Sequence, residues 1–99
     1  MQSGRYPGRV KATPANTATD RATTLIRRAT RAGAVVITKH ARERMQQRGI
    51  SPAEIADALM GGLVVADRTE PDHWLVIGDV TVAVVLYVDP RAVVLTVMH

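Results

Sequence analysis

The spacing of apolar residues changes character along this chain. From Asp20, the residues Ala22, Leu25, Ile26, Ala29 and Ala32 recur at helical intervals, with Arg21, Thr24, Arg27, Arg28 and Arg31 on the opposite face and Gly33 as a stop. Residues 34–37 (Ala-Val-Val-Ile) are a short apolar run, either a brief strand or a buried connection. Thr38 can cap a helix over Lys39–Arg48, which Gly49 ends. Ser51-Pro52-Ala53-Glu54 has the form of a capping box with proline in the first turn, and Ile55, Ala58 and Leu59 supply a buried stripe before Gly61-Gly62. Beyond Gly62 the period becomes that of extended chain. Leu63–Arg68, His73–Ile77, Val80–Val88 and Ala92–Met98 are rich in β-branched residues, with a two-residue hairpin expected at Gly78-Asp79 and a turn at Asp89-Pro90-Arg91. In the third of these, Val80, Val82, Val84, Leu86 and Val88 share one face and Thr81, Ala83, Val85 and Tyr87 the other, which predicts a central strand. The expected fold is α+β, with N-terminal helices packed on one face of a four-stranded antiparallel sheet. Residues 1–19, rich in Gly, Pro, Ser, Thr, Ala and Arg, read as a flexible basic arm ahead of a single domain over 20–99.

Composition narrows the chemistry. The 99 residues contain no Cys, which excludes disulfides, thiolate metal sites and a cysteine nucleophile, and suits a cytoplasmic protein. Phe is absent and there are one Trp and two Tyr, so the core must be aliphatic. No apolar run has the length of a membrane span, and the basic amino terminus lacks the apolar stretch of a secretory signal. Charge is strongly polarised. Residues 1–50 carry eleven bases and two acids, a net +9, whereas residues 51–99 carry two bases and seven acids, a net −5. A basic half of this kind attracts polyanions, and an excess of Arg over Lys favours forked contacts to phosphate.

The densest polar information lies in the helix over 39–48. His40, Arg44 and Arg48 stand at i, i+4 and i+8 and form one line beside the apolar pair Ala41 and Met45. Two guanidinium groups roughly 6 Å apart can hold successive oxygens of a phosphodiester. An imidazole next to them can give and take protons near neutrality. That grouping suits metal-independent cleavage of RNA. Lys39, Arg42, Arg28 and Arg91 are the candidate auxiliary contacts to the substrate, and no cofactor or metal is expected. The plainer alternative is structural: Arg44 or Arg48 could tie two helices through Glu54 and Asp57, and His40 could be an ordinary helix residue. His73, beside Pro71-Asp72, reads as exposed, and Trp74 and Tyr87 as packing. His99 ends the last strand, either frayed or delivered to a cleft at the sheet edge.

The stretch His40-Ala41-Arg42-Glu43-Arg44-Met45-Gln46-Gln47-Arg48-Gly49-Ile50-Ser51 resembles the signature His-Ala-x-x-Arg-Met-x-x-Arg-Gly-Ile-Ser of a small bacterial and phage domain of unknown function. The resemblance runs from about Ile37 to Met98. That family is in turn similar to the BrnT and RelE-type toxins, which pack two helices against a curved antiparallel sheet and are metal-free ribonucleases held by a cognate antitoxin. The resemblance implies a toxin-like endoribonuclease acting on RNA. His40 would be the proton carrier, Arg44 and Arg48 the phosphate ligands, and His99 the counterpart of the His or Tyr that RelE-type toxins often carry at the end of the last strand. The chain departs from those toxins in a sheet poor in cations, with only Arg68 and Arg91 in its second half. The competing expectation is a non-catalytic binding protein of the same fold. A homodimer is also expected, because Val-rich strands covered by helices on one side alone would leave an aliphatic surface.

Overall fold

A computed structural model describes residues 14–87 and 91–98. The elements run α1 (Pro14–Arg31), β1 (Val35–Ile37), α2 (Lys39–Arg48), α3 (Pro52–Gly61), β2 (Leu63–Ala66), β3 (His73–Ile77), β4 (Thr81–Leu86) and β5 (Ala92–Met98). The first helix begins at Pro14, six residues ahead of the expected Asp20. Proline in a first turn loses no helical hydrogen bond, so it starts a helix as readily as it stops one. The rest of the expected arm, 1–13, lies outside the described residues.

The two shorter helices are set by their caps. The Thr38 hydroxyl accepts from the Ala41 amide at the start of α2. At its end Gly49 adopts φ 65°, a left-handed conformation that favours glycine, while its N–H and that of Ile50 return to carbonyls of the last turn. The capping box at Ser51 is complete: Glu54 N–H donates to Ser51 Oγ at 3.2 Å, and Ser51 N–H donates to Glu54 Oε1 at 2.8 Å. Gly62, where α3 turns into β2, is required by space. A Cβ there would stand 2.6 Å from the Ala58 carbonyl oxygen and 2.8 Å from Val76 Cγ1.

The sheet has five strands in the order β1-β5-β4-β3-β2 and is mixed, which corrects the expected four antiparallel strands. β2, β3, β4 and β5 form the antiparallel meander, with β4 central as its two-sided apolarity predicted. The added strand is β1, parallel to β5 through Val35↔Ala92, Val36↔Val93 and Ile37↔Val94. Three residues give no measurable periodicity, and their partner lies far along the chain, so the run 34–37 carried no local sign of its pairing. The β3–β4 connection differs as well. Ile77 pairs with Thr81, and Gly78 N–H donates to Val80 O at 3.0 Å, so three residues make the turn. Val80 belongs to it although its side chain is buried in the core like that of Val82. A register shift between Ala83 and Val84 sets Leu95 as an extra residue in β5.

All three helices lie on one face of the sheet. Ile26, Ala41, Met45, Ile55 and Leu59 pack there against Val64, Val76, Val82, Val84, Val94 and Val97 in a wholly aliphatic core. The opposite residues of each strand face away from the helices. Cross-strand pairing sets them in rows, one running Val36–Val93–Val85–His73 and another Met98–Thr81–Ile77–Leu63. No helix of the described residues is long and apolar enough to cross a membrane.

Candidate functional site

Helix α2 is fastened to β5 at its N-cap, Thr38. Thr38 N–H donates to Val94 O at 3.2 Å and its hydroxyl donates to Leu95 O at 3.2 Å, so one side chain both caps the helix and ties it to the sheet. Ala41 and Met45 then bury themselves on the sheet. The next line round the helix is His40, Arg44 and Arg48, as the spacing predicted. His40 and Arg48 are exposed and Arg44 is half-buried. The Arg44 stem thus lies against the protein while the line as a whole faces water.

No carboxylate among the described residues answers this line. Glu54 is turned back onto the Ser51 N–H, and among the described residues no ion pair or hydrogen bond engages the side chain of His40, Arg44 or Arg48. Arg44 Nε, like Arg27 Nε on α1, is closed off from solvent with no hydrogen-bond partner, a costly state for a charged donor. The helix also has no acid in its first turn, where Lys39 and His40 stand instead, so the positive end of its dipole is uncompensated. Together these features make one flank of α2 electropositive with donors to spare.

The other candidate contacts are dispersed. Arg42 is exposed about 160° round the axis from Arg44. It lines a shallow depression of about 420 Å³ with Met45, Gln46, Gly49, Ile50, Ser51 and Pro52. Arg28 is exposed on α1, which packs on α3 and the sheet. Arg91 is half-buried at the start of β5, its guanidinium 4.5 Å from the centre of the Tyr87 ring. Arg27, expected on the polar face of α1, instead reaches the α3–β2 junction and donates from Nη2 to Gly62 O at 3.0 Å. His99 lies outside the described residues, which extend to Met98 opposite Thr81.

A second polar locus escaped the sequence reading. Asp67, Asp72, His73, Trp74 and Tyr87 border an open cleft of about 560 Å³ at one end of the sheet. Asp67 orders its loop by accepting from Thr69 N–H and Thr69 Oγ at 2.9 Å, and the backbone bond, then the hydroxyl, hold its carboxyl below the ordinary range. His73 is half-buried there rather than exposed. These residues come from three separate chain segments, and only the turns at Asp67-Arg68-Thr69 and Pro71-Asp72 are marked locally. Among the described residues no group of three or more His, Asp or Glu side chains is placed to hold a metal ion.

The fold and this site define a small α+β domain whose helices cover one face of a mixed sheet and whose second helix carries an unanswered Arg–His line. The chain belongs to the family described as Domain of unknown function (DUF4258), whose model matches residues 37–99, from the end of β1 through β5. No curated protein and no solved structure matches it.

Proposed function

We propose that this domain binds RNA through the exposed flank of α2, with Arg44 and Arg48 on successive phosphates and His40 one helical turn away. The observation that carries the reading is the line itself: His40 and Arg48 stand exposed on either side of the half-buried Arg44, and among the described residues no carboxylate or hydrogen-bond acceptor holds any of the three. A structural tie would consume these donors; a phosphate would satisfy them. The uncompensated amino-terminal end of α2 adds to the same field.

The alignment of His40 with the two arginines favours a second, stronger reading, that of a toxin-like, metal-independent endoribonuclease similar to the BrnT and RelE-type toxins. In that chemistry a base removes the proton of a ribose 2′-hydroxyl and the 2′-oxygen attacks the adjacent phosphorus. The bond to the 5′-oxygen breaks, leaving a 2′,3′-cyclic phosphate, and an acid protonates the departing oxygen. His40 is the proposed proton carrier and the guanidinium groups stabilise the crowded phosphorane. His99 is the proposed second carrier. A cytoplasmic location and a cognate antitoxin go with this reading.

One experiment separates the two. Full-length protein is incubated with single-stranded RNA in EDTA, and binding and cleavage are followed together. The arginine line requires that Arg44→Gln with Arg48→Gln weaken binding, and the enzyme reading requires that His40→Ala stop cleavage while binding persists. RNA that is bound but never cut leaves a binding protein. Failure of wild-type protein to bind at low salt sinks both.

A further inference from the structure

Among the described residues no helix or strand packs on the face of the sheet turned away from the helices. Four of its side chains are large, apolar and open to water: Leu63 at 66 %, Ile77 at 44 %, Val36 at 43 % and Met98 at 39 % exposure. They stand on β2, β3, β1 and β5, to either side of the central β4, while Ala83 and Val93 in the middle of the same face are already buried at 6 % and 8 % exposure. Leu63 and Ile77 are direct cross-strand partners, and Thr81 continues their row to Met98. No Lys, Arg, Asp or Glu occupies a strand position on this face.

We infer that this face is the contact between two copies of the chain, packed sheet against sheet. Charge selects the occupant. The protein carries +4 overall and its basic residues sit mainly on the helical side, so two copies repel except through a surface without formal charge. A polyanion or a charged peptide finds no counter-charge there, whereas an equally neutral aliphatic face fits it. Area agrees. Strands about 4.8 Å apart and residue rows about 6.6 Å apart give a face about 20 Å on a side. Covering it in two copies removes on the order of 1,000 Å² of accessible surface, the lower bound for a specific interface. The sheet edges offer less, since β1 has three residues and β2 four. The pair is therefore a concentration-dependent dimer joined through its sheets, with both α2 helices on its outer sides. This arrangement holds whether or not α2 binds RNA.

The test is the mass of the full-length protein by light scattering and sedimentation across a wide concentration range. The expected result is a dimer that dissociates on dilution, and a monomer in each of Leu63→Lys and Ile77→Lys with an unchanged circular dichroism spectrum. Both positions are already solvent-facing in one copy, so lysine there leaves the fold intact. Wild-type protein supplies a second readout, in which peroxide oxidation of Met98 slows as concentration rises. A wild-type monomer at every concentration overturns the inference, as does a dimer that survives both folded variants or leaves Met98 equally reactive. Loss of RNA binding without loss of the dimer bears only on α2.

Discussion

Replacing Arg44 and Arg48 together with Gln is the sharpest probe of the α2 flank, because Gln keeps helix propensity while removing both charges. Each phosphate of a single strand that a protein neutralises contributes about 0.7 to the slope of log affinity against log salt. Losing two such contacts flattens the slope by about 1.4, and between about 50 mM and about 200 mM salt this closes the gap between wild type and variant by about sevenfold. Fluorescence anisotropy with a labelled single-stranded RNA at several salt concentrations reads this directly. Arg44→Lys with Arg48→Lys should keep most of the slope while losing affinity, since lysine retains the charge but not the fork. Because position 44 is half-buried, a circular dichroism spectrum of each variant is the control for an intact fold. Parallel salt plots for wild type and the Gln variant would show that neither arginine meets a phosphate, and the proposed interface would have to be abandoned.

Three further outcomes test the scaffold. Ser51→Ala removes the hydroxyl acceptor of the capping box and should cost about 1 kcal/mol in urea unfolding; an unchanged midpoint would mean that the box adds nothing to α3. Gly62→Ala drives a methyl group into the Ala58 carbonyl and Val76, so a loss of about 1–3 kcal/mol is expected despite an ordinary φ of −76°, and equal stability would disprove the close approach. Asp67 has its carboxyl lowered by the Thr69 hydrogen bonds, so its stabilisation is present at neutral pH and fades as pH falls below the ordinary value of 3.8 through its folded one. The stability difference between wild type and Asp67→Asn should therefore vanish in acid, and a difference independent of pH would remove the ionised carboxylate from the account.

Sequence alone determined the parts whose causes are local. Thr38, Gly49, Ser51 and Glu54 bounded α2 and α3 within a residue or so, because each of these caps closes hydrogen bonds to groups three to five positions away. Helical spacing likewise put His40, Arg44 and Arg48 on one line, and the two apolar faces of β4 marked it as central. Tertiary structure decided everything that needed a distant partner. It paired Val35–Ile37 with β5, and it turned Arg27 inward to Gly62 while Arg28, its neighbour, stayed in water. It drew Arg91 onto Tyr87 and gathered Asp67, His73 and Tyr87 at one end of the sheet. A backbone cap is settled by a few neighbouring torsions. Which charge meets which carboxylate, and which face of a sheet stays bare, depends on how whole elements pack against one another.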